Sequence, residues 1–288
     1  DRIGFDKLET EMAFFREGFK IKERDRQEMM RVQDSADPYA AEVIARIFDD
    51  ARDLIDGANV VPERMIMQLL FPEGGDCGIT ITANGVDYTY DYDPGDVWKA
   101  NNYTALTTTS LWTAPTTADP FAAFKTVKDA IRSKTGDELT IAIMNTYTFN
   151  LMAATDAVKN RYLTTNGLSL GYLTDAEVKA IVEATSGLRI AIYDKQYKDE
   201  SGTAHSFVPD GYVCMIPAGD LGNTWYGTTP EEADLQGSSS AEVSIVNTGV
   251  AITREIQDHP VNINTFASEI VLPSYERMDS VGVLKVIA

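Results

Sequence analysis

At 288 residues the chain is long enough to bury a sizeable core, as one large domain or two smaller ones. Its hydrophobic share of 44% excludes a disordered or fibrous protein, and its formal net charge of −19 argues against a nucleic-acid binder, because phosphate neutralisation needs clustered Lys and Arg. No apolar run approaches the roughly 20 residues of a membrane span, no signal-peptide pattern opens the sequence, and Cys77 and Cys214 lie too far apart to suggest a disulfide framework, so a reducing compartment and no membrane are expected.

The chain starts at Asp1 rather than Met, from which an upstream segment removed or left out is expected. Residues 1–34 mix dense charges of both signs with Met and Phe. "GFKIKE" alternates like a strand, with Phe19 and Ile21 on one side and Lys20 and Lys22 on the other. Such a segment has too little apolar surface to fold alone, and an arm mobile by itself and ordered only in an assembly is expected.

From Asp37 the pattern changes to a helical period. Val43, Ile44, Ile47, Phe48, Ala51, Leu54, Ile55 and Ala58 form one apolar stripe, opposite Glu42, Arg46, Asp49, Asp50, Arg52, Asp53 and Asp56. Asp37 and Pro38 suit the helix start; Gly57 and Asn59 weaken the run, and Pro62 is expected to open a second helix bearing Met65, Ile66, Leu69 and Leu70. "GITITANGVDYTYDY" then reads as a hairpin about Asn84-Gly85, a pair suited to a type I′ turn. That turn sets Ile81 opposite Tyr88, Ile79 opposite Tyr90 and Thr82 opposite Asp87.

The middle alternates helix and strand as an α/β block. "DPFAAFKTVKDAIRSKTG" is a helix capped by Asp119 and stopped by Gly136, with Phe121, Phe124, Val127 and Ile131 on one face. "LTIAIM" (139–144) is a buried strand, the Tyr147–Tyr162 stretch is helical, and Thr174 with Glu177 forms a capping box for a further helix, onto which Leu173 staples at Val178. Residues 188–194 and 212–217 read as strands, "QGSSS" (236–240) as a loop, and the tail from Ala241 mostly as strands.

Chemistry-bearing patterns are few. Gly167-Leu168-Ser169-Leu170-Gly171 has the nucleophile-elbow form, with Asp194 and His205 following in hydrolase order, but "RYLTTN" before it is no buried strand and the next helix starts late. A chance loop match is the better reading. "DYDPGD" (91–96) resembles a calcium loop with its glycine misplaced and Asn102 where the bidentate Glu should stand. His205 and His259 lack metal-ligand spacing, and no phosphate-binding glycine loop occurs. No cofactor, metal or catalytic residue is expected.

Local patterns thus describe an acidic α+β protein with a charged arm, a long helix, a hairpin, an α/β insertion and terminal strands. In that order, "REGFKIKERDRQEMMRV", "YAAEVIARIFDDARDLI", "VVPERMIMQLL", "IPAGDLGNTWYGTTPEE" and "HPVNINTFASEIVLPSYERMD" resemble the major capsid proteins of tailed bacteriophages, the group that includes the lambda shell protein. The resemblance spans nearly all of the chain and implies that the family's N-terminal arm is the part expected before Asp1.

The resemblance implies the tailed-phage capsid fold named for phage Hong Kong ninety-seven. Its expected parts are an extended loop over 1–34, a peripheral domain with spine helix and hairpin over 35–114, an α/β axial domain over 115–235, and terminal strands over 236–288 returning to both sheets. It assigns assembly roles to Phe19, Ile21, Arg24 and Arg26 on the arm, Ile44, Ile47, Phe48 and Leu54 on the spine, and Asn84 and Gly85 at the hairpin turn.

The implied function is self-assembly of pentamers and hexamers into an icosahedral shell that encloses double-stranded DNA and expands on maturation. Expected partners are further copies, a scaffolding protein, a portal and a decoration protein, with packaged DNA against the inner face without sequence-specific contact. Localisation would be the virion, after assembly in the host bacterial cytoplasm. Some relatives cross-link a Lys to an Asn, and no such pair is assigned here. The alternatives are an encapsulin-like compartment shell, a serine hydrolase using Ser169, and a monomeric binding module.

Overall fold

A single long strand organises the first of two units. The computed structural model describes residues 12–21, 27, 39–83, 85–166, 173–199, 202–235, 241–246, 249–257 and 262–288. Its first unit gathers described residues from 1–65, 81–88 and 224–274. Here β13 (Asn262–Pro273) pairs antiparallel with β1 (Phe14–Ile21), from Phe14 opposite Ile270 to Ile21 opposite Ile263. On its other side runs β12 (Val250–Gln257), which pairs in turn with β11 (Ala241–Val246). Ile270 also pairs with Gly227 of β10 (Thr224–Gly227), so β10 continues along the β12 side of β13.

The strand β1 bears out the strand-like period of this segment and corrects the expectation that the arm is ordered only in an assembly. Residues 14–21 are ordered within this chain, because β13 offers them a full ladder of main-chain partners. Sequence period revealed the extended backbone but not its partner, some 250 residues away. Arg24, Arg26 and Asn84 lie outside the described residues.

Tyr39–Leu70 is one helix, α1, of 32 residues. Pro62 lies inside it, where a second helix was expected to begin. An interior proline removes one helical hydrogen bond and costs about 3 kcal/mol. Burial on both sides of the break outweighs that cost: Leu54, Ala58, Met65, Leu69 and Leu70 are all buried. Leu54 and Ala58 pack on Val250 and Ala267 of the sheet, with Ile252 at the margin. Ile44, Ile47 and Phe48 fall on the helix backbone, and their side chains lie outside the description.

The hairpin of β2 (Gly78–Ala83) and β3 (Val86–Asp91) has the expected register, as the Thr82 hydroxyl donates to Asp87 at 2.6 Å. Ile79, Ile81 and Ala83 are buried along one face, and Gly85 has the positive φ of 78° that the turn requires.

The second unit gathers described residues from 66–80, 89–223 and 275–288. Its sheet runs, in spatial order, β4 (Tyr103–Ala105), β14 (Gly282–Lys285), β9 (Tyr212–Pro217), β5 (Leu139–Met144) and β6 (Arg189–Ile192). Ahead of β4 lies the short helix α2 (Val97–Asn102). Residues 89–114, expected with the spine and hairpin, belong with this unit: β4 pairs parallel to β14, and Trp112 is buried in the core beside Phe124.

That core is covered by α3 (Pro120–Thr135), whose Phe124, Val127 and Ile131 are buried, and by α6 (Asp175–Ser186), through Val178 and Val182. Asp119 accepts from the Phe121 and Ala122 amides as α3's cap, and Thr174 and Glu177 close the capping box of α6. Between β5 and α6 the expected helical stretch is two helices, α4 (Thr146–Ala153) and α5 (Asp156–Asn166). A smaller hairpin, β7 (Gln196–Lys198) with β8 (Ala204–Ser206), follows β6.

Candidate assembly surfaces

The β13 sheet presents two chemically different faces. On the face carrying Phe14, Arg16, Phe266 and Ser268, Arg16 ties three segments together. Its guanidinium forms an ion pair with Glu231 and donates through Nε to the Ser268 hydroxyl at 3.4 Å, while Ser268 donates to Glu231 Oε1 at 3.1 Å. The same guanidinium lies 5.1 Å from the Phe14 ring centroid and 5.9 Å from that of Phe266. Gly18 permits this packing, since a Cβ there would come within 2.2 Å of the Phe266 ring. The Arg16 carboxylate partner sits at the start of a short π-helical turn, Glu231–Leu235, and is 3% exposed.

On the opposite face, next to the α1 packing, Glu269 is buried at 2% exposure, with neither carboxylate oxygen hydrogen-bonded among the described residues. Burial pushes its carboxyl from 4.5 up to about 8, so it is mostly protonated at neutral pH. Sequence reading missed Arg16, Glu231 and Glu269, because an isolated acid in "ASEIV" gives no sign of its burial.

Phe19 and Ile21 occupy β1 positions opposite Thr265 and Ile263, and Leu54 belongs to the buried α1 contact rather than to a free surface. Outward-facing apolar side chains occur elsewhere: Trp225 is 60% exposed, Val97 61% and Ile245 48%.

Among the described residues, the Asp194–His205 pairing that a hydrolase would need does not form. His205 Nε2 is 2.9 Å from Asp199, not paired with Asp194. Asp194 instead accepts from the Thr146 hydroxyl and amide, which hold its carboxyl below the usual range. Ser169 lies outside the described residues. In the 91–96 loop, Asp93 accepts from the Trp98 and Lys99 amides at 3.0 and 2.9 Å, serving as a cap for α2. Cys77 and Cys214 are buried free thiols, and burial raises both above the usual thiol range, Cys77 to about 12. Among the described residues, no His, Cys, Asp and Glu side chains converge in threes as a metal site would need, and no helix is long and apolar enough to cross a membrane.

A sheet braced by an ion pair between half-exposed Arg16 and buried Glu231, a long helix laid on it and an α/β unit together describe a building block. The sequence matches the family model of the phage major capsid protein E over residues 1–286. The chain belongs to that family.

This capsid protein has the fold of a protein assigned to the capsid of a prophage of E. coli CFT073, with a TM-score of 0.66 and 16% identity, covering 96% of this chain and 77% of that one. A phage-related protein of Bordetella bronchiseptica RB50 is similar with a TM-score of 0.55 and 12% identity, covering 96% and 75%. No curated protein sequence matches the chain. At such identities the two structures bear on the fold, and the family match bears on the role. That match favours a phage shell over a cellular compartment.

Proposed function

We propose that the chain is the repeating subunit of the icosahedral shell of a tailed bacteriophage, closed by pentamers and hexamers around double-stranded DNA and expanded on maturation. The observation that supports this is the match to the phage capsid family over 1–286. In this reading α1 is the spine of the peripheral part, the β13 sheet its platform, and the second unit the axial part that meets its neighbours at the symmetry centres. The residues before α1 reach a neighbouring subunit, with β1 as their fixed root. Scaffolding protein, portal and a decoration protein are the further partners, and assembly takes place in the bacterial cytoplasm. The subunit does its work by contact rather than by catalysis: many modest interfaces add up through multivalency. Its acidic character suits an inner wall along which DNA slides without sticking.

Negative-stain electron microscopy of the full-length protein, expressed with and without neighbouring phage genes, tests this. Closed uniform shells or rings of five and six are expected. Small monodisperse particles at high concentration, with scaffold present, would sink the reading.

A further inference from the structure

Among the described side chains, the apolar contact between α1 and its sheet is small: Leu54 and Ala58 meet Val250 and Ala267, with Ile252 at the margin. Glu269 lies at that contact. It is directly opposite Val250 and on the same face as Ala267, 2% exposed, with neither oxygen hydrogen-bonded among the described residues. The helix is weakened at the same point. Pro62 has no amide to give the Ala58 carbonyl, so the turn that touches the sheet lacks one of its own hydrogen bonds. The ionisable groups around Glu269 do not stabilise a charge on it. From β1 comes another acid, Glu17, opposite Ala267 and so near α1 that a Cβ on Gly57 would come within 2.9 Å of its carboxylate. From β10 comes Tyr226, opposite Val271, whose hydroxyl is pushed up by burial and by Glu269. On this face β12 presents Val250 and Ile252 first, and Arg254 only two rows away, opposite Thr265. α1 presents Leu54 and Ala58, with Glu63 and Arg64 further along the helix.

We propose that the Glu269 carboxyl is a proton-operated latch for α1: neutral, it stays dry beneath the helix, and ionised, it draws water in and lifts that part of α1 from a sheet that stays folded. A carboxylate without a partner is not held in an apolar contact, because its desolvation costs more than so small a contact returns. Relief comes from a cation or from water. Glu17 repels the charge and Arg254 is two rows off, so water is the nearer remedy. Opening the contact beneath a turn already short of a hydrogen bond exposes little surface. Unfolding β13 would break ladders on both of its sides, so the opening is local. Burial lifts the carboxyl from 4.5 to about 8 while the helix is seated, and water beneath the helix returns it to the ordinary range. Opening therefore grows as pH rises between those two values and levels off above them. The inference goes beyond the shell reading and does not depend on it.

Hydrogen exchange of the full chain as free subunits, read by mass spectrometry at pH 5.5 and 7.5 and corrected for each amide's intrinsic rate, tests the latch. Peptides from residues 54–65 of α1 should lose protection by roughly tenfold or more between the two pH values. Peptides from β12, β13 and α3 should keep theirs. In Glu269→Gln the α1 peptides should be equally protected at both values. Glu269→Met, of similar length and uncharged, repeats the reading should the buried amide disturb folding. Equal protection of wild-type α1 at both values overturns the latch. So does a loss shared by α1, β12 and β13, which is unfolding of the whole sheet. So does a pH dependence that survives in both variants, because another group then operates it. The readings come from free subunits, so failure of the shell reading leaves them standing.

Discussion

Glu269 carries a titration that the fold itself creates. Its folded pKa is raised by burial from 4.5 to about 8, so its contribution to stability is complete below 4.5 and is lost as pH rises toward 8. Wild-type subunits should therefore unfold at lower urea concentration at pH 8 than at pH 5. Glu269→Gln should remove most of this difference and stabilise the subunit at pH 8 by a few kcal/mol. An identical pH dependence in the variant would show that another group titrates. Arg16 predicts the opposite sign. Arg16→Leu leaves the buried Glu231 with Ser268 as its one side-chain partner among the described residues, and should cost about 2–3 kcal/mol in urea unfolding. The half-exposed guanidinium keeps that figure below the range for a fully buried pair.

At the scale of elements, α1 holds a proline that local rules place at a helix start. Pro62→Ala restores the missing main-chain donor, and the flexibility it gives the unfolded chain offsets only part of that gain. The variant should be more stable by about 2 kcal/mol in equilibrium unfolding. No gain would mean that the helix bends at Pro62 to fit its neighbours. α6 obeys local rules throughout: its capping box is complete and Gly187 closes it with a φ of 71°. Thr174→Ala should lower stability by about 1 kcal/mol without disturbing assembly.

For the whole molecule, charge is the dominant long-range term. Copies with net charge −19 repel one another, and the Debye length shrinks to about 10 Å at 0.1 M salt, while partly buried contacts are screened much less. Raising salt from about 0.02 to 0.3 M should therefore lower the concentration at which shells appear by light scattering. A threshold that rises with salt would show that exposed attractive pairs outweigh the net repulsion.

The parts legible in the sequence were chiefly those whose partners lie close along the chain. The Asn84-Gly85 hairpin register and the Asp119 and Thr174 caps depend on neighbours within a few residues, which turn chemistry reports directly, and the strands at 139–144 and 212–217 show as short apolar runs although their partners lie far along the chain. The order of phrases along the chain also carried the family. Tertiary structure alone decided the pairing of β1 with β13, the continuity of α1 through Pro62, the burial of Glu269, and the contact of Lys128 with Ser186. Each of these joins segments tens to hundreds of residues apart. Their free energy comes from desolvation and packing that do not exist until the chain has folded, so no local pattern records them.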